Sequence, residues 1–299
     1  MFETYRRKVD LLIKVIPFIK EVGCFALHGG TAINLFVRDM PRLSVDIDLT
    51  YIPIEDRETS LRKIAEALET IKSRIESLIP GVRVQHKQDI GKLLILFQGL
   101  DVKLEVNLVG RGVIGDLQDR ALSQKAQSDF EAFATISVVP LAQLYGGKIC
   151  AALDRQHPRD LFDVKYLLEN EGFSDDIRKG FIYCLMGSDR PIHEVIIPNF
   201  QDQRSALATQ FSGMSDEDFT YEEYEAVRER LVKVVNEQLT PSDKAFLLSF
   251  KKAEPDWGIY DFERFPSIQW KLRNLNTLKK INPTKHQQQY DLLKEKLGV

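Results

Sequence analysis

Apolar positions along the first 140 residues change their spacing several times, and each change marks an element. Val9, Leu12, Ile13, Ile16 and Ile19 recur at helical intervals, which predicts an opening helix with Pro17 as a kink or an early stop. Cys24-Phe25-Ala26-Leu27 is a short apolar run suited to a buried strand. The pair Gly29-Gly30 then lets the backbone turn sharply, and Thr31-Ala32-Ile33-Asn34-Leu35-Phe36 resumes at helical spacing. Over 44–49 the period becomes two, with Val45, Ile47 and Leu49 on one side and Asp46 and Asp48 on the other. Asp56 is placed to cap a helix whose stripe is Leu61, Ile64, Leu68, Ile71, Ile75 and Leu78, closed by Pro80-Gly81. Three short strands are expected at 82–87, 92–98 and 102–109.

Residues 110–134 are polar and punctuated by glycine, which predicts a loop with a short helical piece. Ile136, Val138 and Val139 suggest a last strand. From Pro140 onward only helical spacing is found: 141–153, a helix opening at Pro158, and several after 174. Among these is an amphipathic helix over 221–238 bearing Tyr224, Val227, Leu231, Val234 and Val235. The polar stretch 201–218 reads as an exposed connection. The pattern therefore predicts an α/β (α+β) chain: a mixed, mostly antiparallel sheet core over 1–139, followed by a helical domain over 140–299.

The chemistry suggested by this layout lies in the turn and the strand after it. Asp46 and Asp48 stand roughly 6.5–7 Å apart along one face, at about 3.3 Å per residue. Neighbouring carboxylates repel, but they suit a pair of Mg²⁺ ions about 3.5–4 Å apart, with a nucleotide completing the shell. Amides at the start of the helix after Gly29-Gly30-Thr31 suit phosphate oxygens. Phosphoryl or nucleotidyl transfer is the chemistry that uses both. Along 102–109 Val102, Leu104, Val106 and Leu108 alternate with Lys103, Glu105 and Asn107, which makes Glu105 the candidate third carboxylate, to bind metal or take a proton from an attacking hydroxyl. Asp101, at the hairpin end, is the alternative.

Composition changes this picture only at the edges. Hydrophobic residues make up 43% of the 299, enough to bury a core, and Cys24, Cys150 and Cys184 form no Cys-x-x-Cys pair, which argues against a disulfide framework or a structural zinc site. No stretch approaches the ~18 apolar residues of a membrane span, and the N-terminus lacks the apolar core of a signal peptide, so a cytoplasmic location is expected. The formal net charge of −3 conceals a basic tail: from Arg264 onward the acids are only Asp291 and Glu295. Trp270, Arg273, Lys279, Lys280 and Lys285 would suit nucleic-acid phosphates and bases, or form a solvated face.

A second constellation opens the helical region. Lys148 and Arg155 are seven residues apart and return to nearly one helical face, so both could address one anion. Asp160 and Asp163 share a face on the next helix. Taken singly, each has a structural reading as an ion pair or as a complement to a helix end.

Gly29-Gly30-Thr31, a short helix and Asp46-Ile47-Asp48 resemble the polymerase-β-like nucleotidyltransferase superfamily. With His28-Gly29-Gly30-Thr31-Ala32 and the later motifs, the chain looks most like the AbiEii/AbiGii abortive-infection toxins. That family shows a lysine and arginine seven apart, then Arg-x-Lys-Asp-x-x-Asp. Here the last element reads His157-Pro158-Arg159-Asp160-Leu161-Phe162-Asp163, with histidine in place of arginine and arginine in place of lysine. A neutral imidazole does not carry the fixed charge of a guanidinium. The likeness covers the segments near 28–49, 102–107 and 148–163, with a weaker echo at 265–275.

The resemblance implies that Gly29, Gly30 and Thr31 cradle phosphates, that Asp46, Asp48 and Glu105 serve metal and catalysis, that Lys148 and Arg155 hold the nucleotide, and that Asp160 is essential. It implies Mg²⁺-dependent transfer of NMP from an NTP to a hydroxyl, with the first helices of the helical domain completing the cleft. The protein would be the toxin of a type IV-like toxin–antitoxin pair with a cognate antitoxin, acting on RNA, tRNA 3′ ends among the candidates. The alternatives are nucleotidylation of a protein or small molecule, and a regulator that binds NTP without turnover.

Overall fold

A seven-stranded sheet carries the N-terminal part of the chain in the computed structural model, which describes residues 2–299. The chain divides into two compact units, the first running to Pro140 and recovering Phe211–Asp218, the second made of Leu141–Gln210 and Phe219–Val299.

In the first unit, helix α1 (Phe2–Val22) buries Val9, Leu11, Leu12, Ile13, Val15, Ile16 and Ile19. Pro17 neither stops nor shortens it. The ring lies on the exposed side of the helix. Strand β1 (Phe25–His28) leads into α2 (Gly29–Thr31), which runs on as a wider π-type turn over Ala32–Val37. Strand β2 (Asp46–Tyr51) follows, then α3 (Arg57–Leu78), whose N-cap Asp56 accepts from the Thr59 amide. Its buried stripe is Ser60, Ile64, Leu68, Ile71 and Ile75, while Leu78 is exposed.

Strands β3 (Arg83–Lys87), β4 (Lys92–Phe97) and β5 (Leu100–Val106) form an antiparallel meander. The last of these ends at Val106, short of the expected Asn107–Val109, because the Asn107 side chain turns back to accept from the amides of Val109 and Gly110. The expected loop over 110–134 holds an edge strand, β6 (Gln118–Ala121), before α4 (Gln124–Phe130) and β7 (Thr135–Val138).

The strand order is β3-β4-β5-β2-β1-β7-β6. Pairs β2–β5 and β1–β7 are parallel and the rest antiparallel, so the sheet is mixed and mostly antiparallel. Helices α1 and α3 pack against the sheet and each other. Phe211–Asp218 is not the exposed connection its polarity suggests: Phe211 and Met214 are buried, Leu43 donates its amide to the Met214 carbonyl at 2.6 Å, and Ser215 Oγ donates to the Pro41 carbonyl at 2.9 Å.

The regular elements of the second unit among the described residues are helices: α5 (Leu141–Asp154), α6 (Pro158–Asn170), α7 (Asp175–Gly187), α8 (Ile192–Ile196), α9 (Arg204–Ala206), α10 (Tyr221–Gln238), α11 (Pro241–Lys251), α12 (Pro266–Ile281) and α13 (Pro283–Leu297). Its core contact is between α5 and α7, where the backbones touch. A Cβ on Gly146 would lie 2.3 Å from the Gly180 carbonyl carbon, and one on Gly180 would lie 1.9 Å from the Ala142 carbonyl oxygen. No helix among the described residues is long and apolar enough to cross a membrane.

Candidate active site

Strand register builds the first half of the site. His28 at the end of β1 lies opposite Asp48 on β2, Asp48 lies beside Glu105 on β5, and Glu105 lies opposite Lys92 on β4. Side chains at paired positions share a face, so the polar set His28, Asp48, Glu105 and Lys92 forms one row across four strands. Asp46 is on the same face, one rung back, beside Lys103. Ile47 and Leu104, in register on the opposite face, are fully buried.

The turn before α2 is shaped to admit this row. Gly29 has φ +70°, a region that disfavours side chains, and a Cβ there would sit 2.3 Å from Asp48 Oδ2. The space a side chain would fill is where the carboxylate lies. A Cβ on Gly30 would meet Arg42 Nη2 at 2.8 Å and Ser44 Oγ at 3.0 Å, so a buried guanidinium lies against the same turn. Thr31 is wholly buried. Its hydroxyl donates to the Asp46 carbonyl at 2.5 Å and lies 3.0 Å from Ser44 Oγ. The threonine side chain therefore ties α2 to the start of the aspartate strand.

Glu105 is half exposed and paired with Lys92. Asp101, the alternative, is engaged by Lys8 of α1 at 2.8 Å, and its carboxyl is held below the ordinary range, chiefly by the hydrogen bond from Lys8. Among the described residues no three His, Cys, Asp or Glu side chains gather into a metal cage.

The second constellation lies wholly in the helical unit. Lys148 of α5 places Nζ 2.8 Å from Asp160 Oδ1 and 2.9 Å from Asp163 Oδ2, with all three side chains buried. Arg155 Nε lies 2.6 Å from Asp160 Oδ2 and Nη2 3.1 Å from Oδ1, while its side chain remains 63% exposed. The anion that both cations address is thus Asp160. Burial alone would raise the Asp160 carboxyl; the charge of Lys148 and the hydrogen bond and charge of Arg155 outweigh it and hold the group well below its usual value.

His157, which stands in the arginine position of the motif, is the N-cap of α6. Its Nδ1 accepts from the Arg159 amide at 3.1 Å, which leaves Nε2 to donate to Gln210 Oε1 at 3.0 Å. Burial, first, lowers its pKa, and the neutral ring is the form this cap requires.

Of the basic tail, Lys279 is engaged by Glu254 at 2.8 Å and by the Lys252 carbonyl, whereas Arg273, Lys280 and Lys285 are exposed and Trp270 is 46% exposed. Sequence reasoning missed Arg42 and Lys92. The lysine that opens the apolar run Leu93–Phe97 was a usable signal; nothing local marks Arg42 as a neighbour of Gly30.

A mixed sheet with a glycine turn, a following helix and carboxylates on adjoining strands defines the nucleotidyltransferase class of fold. The family model described as nucleotidyl transferase AbiEii toxin of a type IV toxin–antitoxin system matches residues 10–274, and the chain belongs to that family. It is accordingly a nucleotidyltransferase toxin, and membership implies an NTP substrate and a cognate antitoxin. Among solved structures it is similar to MenT4, a nucleotidyltransferase toxin from Mycobacterium tuberculosis H37Rv, with a TM-score of 0.63 and 14% identity over 91% of this chain and 93% of that one. At that identity the likeness is one of fold. No curated protein matches the chain.

Proposed function

We propose that the chain transfers NMP from an NTP to the hydroxyl of an RNA acceptor, tRNA 3′ ends being the favoured target, in the cytoplasm and with Mg²⁺. The observation that carries the reading is the register that sets Asp48 beside Glu105, together with the glycine that leaves the Asp48 carboxylate its space. Asp46 and Asp48 fit Mg²⁺ in donor chemistry, being hard oxygen ligands on one strand face, with nucleotide oxygens and water needed to complete the shell. When bound, the ion supplies positive charge that offsets the charge on the phosphates.

The acceptor oxygen forms a bond to the α-phosphorus while the bond from that phosphorus to the bridging oxygen breaks, and pyrophosphate leaves with the electron pair. Glu105 accepts the hydroxyl proton, and Lys92 holds that carboxylate in place. Amides at the start of α2 receive phosphate oxygens, and Thr31 acts by positioning the aspartate strand. Arg155, the exposed cation of the cluster, presents positive charge for the nucleotide, while Lys148, held by Asp160 and Asp163, fixes the carboxylate that orients it.

Incubation with each α-labelled NTP, Mg²⁺ and total RNA is the test, and label in RNA of tRNA size is expected. Label in protein or in a small molecule would move the reading to the corresponding acceptor. NTP binding without pyrophosphate release under any acceptor would replace the enzyme with a regulator.

A further inference from the structure

The helical unit contains a cavity of about 190 Å³ bounded by the 187–191 turn after α7, the end of α11, one face of α12 and Gln289 of α13. Two buried lysines line it. Lys271, 8% exposed, donates to the carbonyls of Leu185 (3.2 Å) and Arg190 (2.7 Å) and lies 3.2 Å from Ser188 Oγ. Lys251, 2% exposed, donates to Gln289 Oε1 at 2.6 Å. All of these partners are neutral, and among the described residues no carboxylate lies within 4 Å of either ammonium.

Buried charges are ordinarily paired, as Lys148 is in this same unit. The other charged groups on the wall do not supply the missing anion. Arg190 is itself a cation, taken by Asp154 and Glu194, and Asp189 acts on Lys271 only at a distance. Burial lowers both lysines to about 8, and the charge of Lys251 adds to the lowering at Lys271. The cavity thus sets two buried lysines together with no carboxylate in contact with either, Asp189 being the one acid on its wall.

At the mouth Trp270 leaves 46% of its surface exposed, an aromatic face beside a cationic pocket. The volume is several times the ~30 Å³ of a water and below the ~300 Å³ of a drug-sized pocket, which admits a phosphate and part of what it is attached to.

We propose that this cavity binds the phosphate of a nucleotide unit between Lys251 and Lys271, with the base stacked on Trp270 outside. A phosphomonoester carries close to two negative charges at pH 7, matching two ammonium groups, and base–aromatic stacking is tolerant of base identity. The site stands on the helical unit alone and does not depend on the transfer reaction. Its ligand is a free mononucleotide or the 5′-phosphorylated end of an RNA strand, which share the phosphomonoester.

The test uses the full chain in EDTA, which removes divalent metal from the aspartate strand, with AMP, CMP, adenosine, inorganic phosphate and a short single-stranded oligoribonucleotide carrying a 5′-phosphate. Binding is followed by calorimetry and tryptophan fluorescence. AMP and CMP are expected to bind and quench. The quench survives in Trp257→Phe, which leaves Trp270 as the reporter, and is lost in Trp270→Phe. Lys251→Met and Lys271→Met should each weaken binding by about tenfold or more, with thermal melting showing that each variant is folded. Affinity should fall from pH 7 to 9.5 as the two amines lose their protons.

Tighter binding of the oligonucleotide than of AMP assigns the site to a strand, and the reverse assigns it to free nucleotide. Adenosine binding as well as AMP, or unchanged AMP affinity in the lysine variants, would overturn the proposal. Should a lysine variant fail to fold, Trp270→Ala at the exposed rim decides instead: unchanged affinity for AMP would overturn it.

Discussion

Lys148 shows how a single side chain changes its meaning between sequence and structure. Its spacing to Arg155 suggests a cation waiting for phosphate; in the fold its ammonium is already held by Asp160 and Asp163. Lys148→Ala would leave two buried carboxylates without that charge, and breaking such a cluster costs about 3–5 kcal/mol. Chemical denaturation should show this loss directly, whereas Arg155→Ala, at a mostly exposed position, should change stability by about 1 kcal/mol or less and appear chiefly as weaker NTP binding.

The acid side of Asp160 has a definite sign. Its folded carboxyl lies below its ordinary value of 3.8, so the unfolded chain takes up the proton first as pH falls. The stability of wild type relative to Asp160→Asn should hold from pH 7 down to about 4 and shrink only below that. A difference that vanishes between pH 7 and 5 would contradict the assignment. The two aspartates of β2 were legible because a period of two places them on one face regardless of context. The duty of Thr31 was not, because nothing local shows that its hydroxyl turns inward to the Asp46 carbonyl.

Elements with strong periodicity, such as α3 and α10, were readable, and those defined by long-range pairing were not. Strand β6 has the sequence Gln-Asp-Arg-Ala, with no apolar alternation; it exists because β7 offers an edge with which its backbone can pair. The Phe211–Asp218 segment looked like a linker because its two anchors, Phe211 and Met214, are sparse among polar residues and its partner is Leu43, far back in the chain. The α5–α7 contact rests on Gly146 and Gly180, neither of which announces itself in the sequence. Gly180→Ala would put a methyl group 1.9 Å from a backbone oxygen, so the helices must part. A urea titration should show a loss of at least about 2 kcal/mol for either Gly146→Ala or Gly180→Ala; a neutral result would mean the helices are not in backbone contact.

At the scale of the whole molecule, the acidic row lies in the sheet unit, and the Lys148 cluster and the basic C-terminal helices lie in the helical unit. If Arg273, Lys280 and Lys285 touch a single-stranded acceptor, replacing all three should make the slope of log Kobs against log salt shallower by up to about 0.7 per lost contact. An unchanged slope would return these residues to a solvated surface.

If the row on β2 and β5 carries out nucleotidyl transfer, pyrophosphate release reports it. Wild-type protein given NTP, Mg²⁺ and RNA should release pyrophosphate in proportion to acceptor. Asp46→Ala and Asp48→Ala should each abolish that release while remaining folded and as stable as wild type or slightly more so, since one of two neighbouring carboxylates is gone. Near-normal acceptor-dependent release from both variants would contradict the account.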